Sequence, residues 1–254
     1  MELSRKLGQF FTPAEAVDLA FGVLAWLEPA LAEGTLLDLS CGEGAFLHGA
    51  LRAGFAPQHL YGIDADPRLP QVWRGNGLHL QGSPHLAVAD GLLGGGERLF
   101  DVVVGNPPFG GGAEHEHDHL ADAYHWWRLG KRKLPALPRE LWFLERSLRL
   151  LRPEGLLAMV LPEGFLANRR WKYQRQELLG LYQVEAIIGL PRSVFRSSQT
   201  TVKTALLFLR KRRPPEGHRV RLAELEASEI AGALPVLLEH WQSGSEQAEG
   251  RPWS

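Results

Sequence analysis

The chain has 254 residues, a formal net charge of −1, 44% hydrophobic and 22% charged residues. That length can bury one large core, the composition is that of a soluble globular protein, and the near-neutral balance excludes a long-range pull on nucleic acid by the whole molecule. No apolar run is long enough to span a membrane, the start Met-Glu-Leu-Ser-Arg-Lys has no apolar signal core, and the single cysteine, Cys41, excludes an internal disulfide framework and suits a reducing cytoplasm.

The segment Gly8-Gln9-Phe10-Phe11-Thr12-Pro13 leads into a predicted helix from Ala14 to Leu27, with Thr12 as N-cap and Pro13 as first helical residue. Val17, Leu19, Ala20, Val23, Leu24 and Leu27 form its apolar face. A first strand, Thr35 to Leu39, runs into Asp38-Leu39-Ser40-Cys41-Gly42-Glu43-Gly44-Ala45-Phe46, and a helix follows to about Arg52. A strand, a glycine turn and a helix start make a ligand cradle, because the glycines let the backbone approach and free N–H groups point outward. The spacing is not the G-x-G-x-x-G dinucleotide fingerprint, and a tight packing turn would read the same way.

A second strand, His59 to Ile63, closes with Asp64, where a carboxylate is placed to bond ribose hydroxyls. A third, Leu86 to Ala89, ends in Asp90. The fourth contains Val102-Val103-Val104, a β-branched run, and stops at Asn106-Pro107-Pro108-Phe109. The two prolines have fixed φ and no N–H, so the strand ends in a stiff elbow that projects an amide and then a ring. In an open α/β sheet ligands sit beyond the carboxyl ends of the strands. An amide oxygen, a neighbouring carbonyl and a ring there can grip a planar substrate that carries an amino group. An ordinary proline-rich turn with a core phenylalanine is the plainer alternative.

Residues 110–138 break the pattern: three glycines, then His115, His117, His119 and His125 among acids, then Trp126-Trp127 and Lys131-Arg132-Lys133. This reads as a long loop beside the site, its histidines solvated and no metal expected. A helix is expected from Arg139 to Leu151, ended by Pro153 and Gly155, then a fifth strand Leu156 to Leu161 and a loop opened by Pro162-Glu163-Gly164. Arg169, Arg170, Lys172 and Arg175, interleaved with Trp171 and Tyr173, could track a nucleic-acid backbone or simply be a solvated helix start. Strands at Val184 to Gly189 and Thr204 to Leu209, a short strand at Arg219 to Leu222, a helix from about Ser228 to Trp241 and a disordered last dozen residues complete the reading.

With these pieces in order, the chain resembles the catalytic core of an adenine-N6 DNA methyltransferase, in particular the modification subunit of type I restriction systems. The matching residues are Gly8 to Pro13, Asp38 to Phe46, Gly62-Ile63-Asp64, Asn106 to Phe109, Leu161 to Gly164, and Ile188 to Pro191 with Val194-Phe195. The resemblance implies a doubly wound, seven-stranded Rossmann-like α/β sheet with an antiparallel last strand, a methyltransferase core over 1–215 and a C-terminal extension over 216–254.

It also implies roles. S-adenosylmethionine would be the cofactor, touched by Phe10, Phe11, Thr12, Asp38, Ser40, Cys41, Gly42, Gly44, Asp64, Ala65, Asp90 and Asn106. Asn106 and the Pro107 carbonyl would accept both N6 hydrogens of a flipped-out adenine in DNA, with Pro108 stiffening the elbow. Phe109 would stack on the base, and Phe195 is the candidate for its second face. Larger family members carry a helical region before the Gly-Gln-Phe-Phe segment, where seven residues stand here, and solitary relatives carry a recognition domain after the last strand, where about 45 residues remain. The expectation is therefore a separate sequence-specificity protein. RNA adenine, a protein glutamine or a cofactor-binding scaffold role are the alternatives.

Overall fold

The computed structural model describes residues 12–78, 84–93, 98–109, 124–126, 137–192, 194–195, 202–226 and 229–243. In chain order the elements are α1 (Ala14–Leu27), β1 (Leu36–Asp38), α2 (Ala45–Arg52), β2 (Leu60–Asp64), α3 (Leu69–Gly75), β3 (His85–Val88), β4 (Phe100–Gly105) and α4 (Arg139–Leu150). Then come β5 (Leu151–Pro162), α5 (Glu163–Ala167), α6 (Lys172–Leu181), β6 (Gln183–Leu190), β7 (Thr204–Arg210), β8 (Arg221–Glu224) and α7 (Ala233–Gln242). Three short 3-10 turns precede β1, β2 and α7, and a fourth precedes α6.

The strands form one sheet in the order β3-β2-β1-β4-β5-β7-β6-β8. β1 to β5 are mutually parallel, and β7 is inserted antiparallel between β5 and β6. The expected seven strands are thus present with the seventh reversed, and β8 adds an eighth at the edge, parallel to β6. The chain starts in the middle with β1, runs outward through β2 and β3, then returns to β4 on the other side. That reversal is a topological switch point, and it opens a crevice beyond the carboxyl ends of β1 and β4.

Both faces of the sheet are covered, which is why its central strands read as continuous apolar runs rather than alternating ones. Leu36, Val102, Val104, Ala158, Val160, Ile188, Leu206 and Phe208 point into one core, shared with α1, α2 and α7. Their neighbours Leu37, Val103, Leu157, Met159, Leu161, Leu207 and Leu209 point into the other, shared with α4 and α6. The period-two side-chain alternation of a strand divides them. α7 lies on α1, with Trp26 and Trp241 rings 5.7 Å apart, and a Cβ at Gly22 would stand 2.2 Å from Leu234.

Four elements depart from the sequence reading. Pro13 is the N-cap of α1, and its helix begins at Ala14 with no side-chain cap. β5 begins at Leu151, which already pairs with Phe100, and Pro153 to Gly155 form an irregularity inside it, with Glu154 at φ +67°. α5 is a helix where a loop was expected, and α3 is a helix over a stretch to which the sequence reading gave no element. Both are under eight residues long, too short for a periodic apolar stripe to register.

Candidate active site

The crevice holds a cavity of about 420 Å3 lined by Thr12, Asp38, Ser40, Cys41, Gly42 and Asn106 from the sequence reading, and also by Phe46, Asp66 and Arg68. The pairing register explains how they meet. Asp38 lies opposite both Gly62 and Val104, so the carboxylate at the end of β1 stands two residues short of the elbow on β4. A Cβ on Gly105 would come within 3.3 Å of Asp38 Oδ1, so a side chain there would crowd the carboxylate.

The glycine turn serves both readings at once. Gly42 has φ +51°, and a Cβ there meets nothing within 4 Å, so its backbone faces open cavity. Gly44 has φ +95°, and a Cβ there would sit 2.1 Å from Leu78 Cδ1, so it is the packing glycine. Side chains hold the turn in place. Gly42 N–H donates to Asp64 Oδ2 at 2.8 Å, its carbonyl accepts from Trp73 Nε1 at 2.8 Å, and Asn76 Nδ2 donates to the Glu43 carbonyl at 2.7 Å. Trp73 and Asn76 lie on and just after α3, the helix missing from the sequence reading. Asp66-Pro67 at the end of β2 is the signal that could have found it, since an Asx residue before proline often starts a helix.

The three strand-end carboxylates part company. Asp38 is buried, accepts from Ser40 N–H at 3.0 Å and reaches the cavity. Burial, foremost, and the nearby Asp64 charge push its pKa up to about 7, against the lowering effect of the Ser40 N–H. Asp64 and Asp90 close their loops in the same way: Asp64 Oδ1 accepts from Asp66 N–H at 3.0 Å, and Asp90 Oδ1 from Leu92 N–H at 2.9 Å. Neither they nor Ala65, which is exposed, line the cavity. Buried Asp66 does, and it binds Arg68 Nε at 2.8 Å. Burial, then the charges of Asp38 and Asp64, hold the Cys41 thiol well above its ordinary pKa, so it stays protonated.

At the elbow, Val102 to Val104 are buried on both faces and Asn106 is 9% exposed. Asn106 Nδ2 donates to Thr12 Oγ1 at 3.0 Å, a buried link between residues 94 positions apart. Pro107 is buried and Pro108 half-buried. Phe109 and Phe195 are both buried in the core cluster that contains Val104. Phe10 and Phe11 lie outside the described residues, as do His115, His117 and His119.

Beyond β5 the basic cluster is smaller than its sequence suggests. Trp171 is buried, and Arg175 Nη1 donates to the carbonyls of Phe165 and Asn168, each at 2.7 Å. Arg175 therefore ties down the end of α5, leaving Arg169, Arg170 and Lys172 as the exposed cations beside Tyr173. Of the histidines in the long loop, His125 is described. Its backbone N–H and that of Trp126 donate to Glu145, at 2.9 and 3.0 Å, and its ring lies between Glu145 and Glu177. Among the described residues no cluster of three or more His, Cys, Asp or Glu is arranged to hold a metal, and no helix is long and apolar enough to cross a membrane.

The model of the N-6 DNA methylase family matches residues 2–230. The chain belongs to that family. Its members are adenine-specific DNA methyltransferases, which take their methyl group from S-adenosylmethionine. The chain is 28% identical to the type II methyltransferase M.VspI of Vibrio sp. (strain 343), over 84% of this chain and 50% of that protein. It is 27% identical to the methylase subunit of the Escherichia coli type I restriction enzyme EcoEI, over 82% of this chain and 43% of the subunit. In fold it superimposes with a TM-score of 0.71 on the type I restriction-modification methyltransferase subunit of Streptococcus thermophilus, 20% identical, over 92% of this chain and 53% of that one. The chain spans about half the length of the curated relatives it matches.

Proposed function

We propose that this N-6 methylase chain transfers a methyl group from S-adenosylmethionine to N6 of adenine in DNA, in the cytoplasm, within a restriction-modification system and with a separate protein that reads the sequence. One observation carries the reading: the elbow amide of Asn106 and the buried carboxyl of Asp38 line the same cavity at the switch point.

The cavity suits the cofactor. A buried carboxyl with a pKa near 7 is stabilised in its ionised form by a cation, and the cofactor's amino-acid end brings an ammonium. The open backbone at Gly42 gives that end room to approach. When bound, the cofactor supplies an electrophilic sulfonium methyl. Asp38 would hold the ammonium, and Asp64, through its grip on Gly42, would fix the turn. Asp66 and Arg68 are further polar groups on the cavity wall. Asn106 Oδ1 and the Pro107 carbonyl would accept the two N6 hydrogens of the adenine, which turns the nitrogen lone pair towards the methyl. Catalysis on this reading is positioning by preorganised acceptors rather than general-base chemistry. Phe109 would stack on the extruded base, worth about 1–3 kcal/mol, against the few kcal/mol that extrusion costs.

Mass spectrometry of adenine in genomic DNA from cells with and without the chain tests this. N6-methyladenine that appears with the chain supports it. A protein that binds the cofactor yet methylates no adenine-containing nucleic acid would favour the scaffold reading instead.

A further inference from the structure

We propose that the turn joining α5 to α6 is the surface that receives the phosphate backbone of duplex DNA, with Arg169, Arg170 and Lys172 as its cations. The inference rests on the methyltransferase reading for the identity of the polyanion, and it adds where on the fold the duplex lies.

The chain has two basic runs, and the structure uses them differently. Arg210 to Arg213 leaves β7 at the edge where β5 begins, since Arg210 pairs with Leu156. There Arg210 Nη2 donates to the Leu27 carbonyl at 3.0 Å, Lys211 Nζ to the Leu151 carbonyl at 2.7 Å, and Arg212 Nε to Gln183 Oε1 at 2.7 Å. Those cations clamp the fold.

The run after α5 is the reverse case. Residues 164–176 carry four cations and no acid, in a chain whose net charge is −1. Arg175 is turned inward to the carbonyls of Phe165 and Asn168. Asn168 Oδ1 accepts from Arg170 N–H at 2.9 Å, and Trp171 N–H donates to the Asn168 carbonyl at 3.1 Å. Gln174, fully buried, donates to the Trp126 carbonyl at 2.6 Å. The backbone of the turn is thus fixed from within, while the side chains of Arg169, Arg170 and Lys172 stay exposed. Arg169 and Lys172 enter no ion pair among the described residues. Nor do the cations serve the helix. At its first turn they oppose the α6 dipole, where an acid would be the stabilising residue.

Their position suits the substrate. β4 and β5 are paired up to Gly105 opposite Met159, so the end of β5 and the elbow share one rim. Adjacent strands lie about 4.8 Å apart, and α5 has five residues, which keeps the turn beside the elbow. Tyr173, 41% exposed, adds a ring on which a sugar or base can lie. Phosphate contacts fix register and orientation but carry no sequence information. This surface therefore orients the duplex and leaves the reading of sequence to another protein.

Anisotropy titrations with a labelled duplex of random sequence, repeated across salt concentrations, test this. Arg169→Gln, Arg170→Gln and Lys172→Gln should each flatten the salt slope by about 0.9 and weaken binding about tenfold at low salt. The three together should remove most of the salt dependence. Affinity for S-adenosylmethionine and the melting temperature should not fall in any of them. Arg213→Gln, the same charge change in the other run, should bind DNA within about twofold of the parent, because a charge that far from the duplex is screened. In methyl transfer the triple variant should raise KM for DNA and keep the saturated single-turnover rate within about twofold.

An unchanged slope in the triple variant would overturn the proposal and leave the run a solvated helix start. An equal loss in Arg213→Gln would overturn it as well, as would a parent chain that binds no duplex at low salt. If the parent binds DNA through this turn yet methylates no adenine, the methyltransferase reading fails and the DNA surface stands.

Discussion

The two halves of the proposed site, one for the cofactor and one for the substrate base, are built by different means. In the cofactor half, β1, β2 and α3 are tied by hydrogen bonds between side chains and backbone, so that Gly42 is held at both its N–H and its carbonyl. In the substrate half, the elbow is stiffened by Pro107 and Pro108, and its rings lie in the apolar core. A cradle for a small ligand of constant shape gains from being fixed in advance. A pocket that must admit a base drawn from a duplex cannot be closed in the same way. With Phe109 and Phe195 3% and 1% exposed, a base can stack on either ring only after the ring's neighbours part.

The sharpest break of this comparison is Asn106→Ala. It should lower methyl transfer by about a hundredfold or more, the scale for removing one preorganised transition-state hydrogen bond. Cofactor affinity should change by less than about threefold. Single-turnover kinetics with calorimetry on the same preparation checks both.

Asp38→Asn should do the opposite, weakening cofactor binding by about ten- to a hundredfold through loss of a charge-assisted contact. The pKa near 7 adds a pH signature. Only the ionised carboxylate attracts an ammonium, so wild-type affinity should fall as pH drops through about 7 and should level off in Asp38→Asn. The stability effect has the reverse sense. A carboxyl whose folded pKa is raised from 3.8 contributes stability that is full below 3.8 and lost as pH rises through about 7. Cofactor-free Asp38→Asn should therefore melt higher than the parent at pH 8, by ~5 °C, and show no such gain near pH 4. A pH-independent difference would remove Asp38 from this role.

Trp73→Phe sharpens the account of the cradle. It deletes the hydrogen bond to the Gly42 carbonyl and keeps most of the ring, so cofactor affinity should fall about fivefold, near 1 kcal/mol. The transfer rate at saturating cofactor should not move. A drop in the saturated rate would show that the turn also positions the reacting atoms.

The smallest effect concerns DNA. With Arg175 bound to its own backbone neighbours, three exposed cations remain in the basic cluster. Three phosphate contacts give a salt slope of only about −2.7. The isolated chain should bind duplex DNA weakly and without sequence preference, and a binding isotherm repeated across salt concentrations reads the slope. One defined motif methylated efficiently by this chain alone would contradict the proposal of a separate recognition protein.

Much of the fold was legible because periodicity speaks clearly over long elements. α1 spans Ala14–Leu27 as its apolar face indicated, and β4 shows its valines buried on both faces. The elbow and the glycine turn were legible because proline restricts the backbone and glycine frees it, whatever surrounds them. What sequence could not convey is which lone pairs are already engaged. Asp38, Asp64 and Asp90 look equivalent at three strand ends, and each accepts from the backbone N–H two residues on, yet of the three Asp38 alone lines the cavity, while the second oxygen of Asp64 is taken by Gly42 N–H. Arg175 looks like its neighbours in the basic run, but tertiary packing gives it two carbonyls. Trp73 carries no local signal at all, since its partner is 31 residues away.

The most direct test of the central claim is calorimetric titration of S-adenosylmethionine into the parent chain, Asn106→Ala and Asp38→Asn under identical conditions. The division of the site into a cofactor half and a substrate half predicts that Asn106→Ala binds like the parent while Asp38→Asn loses most of its affinity. Equal losses in both variants, or a loss in Asn106→Ala alone, would contradict it.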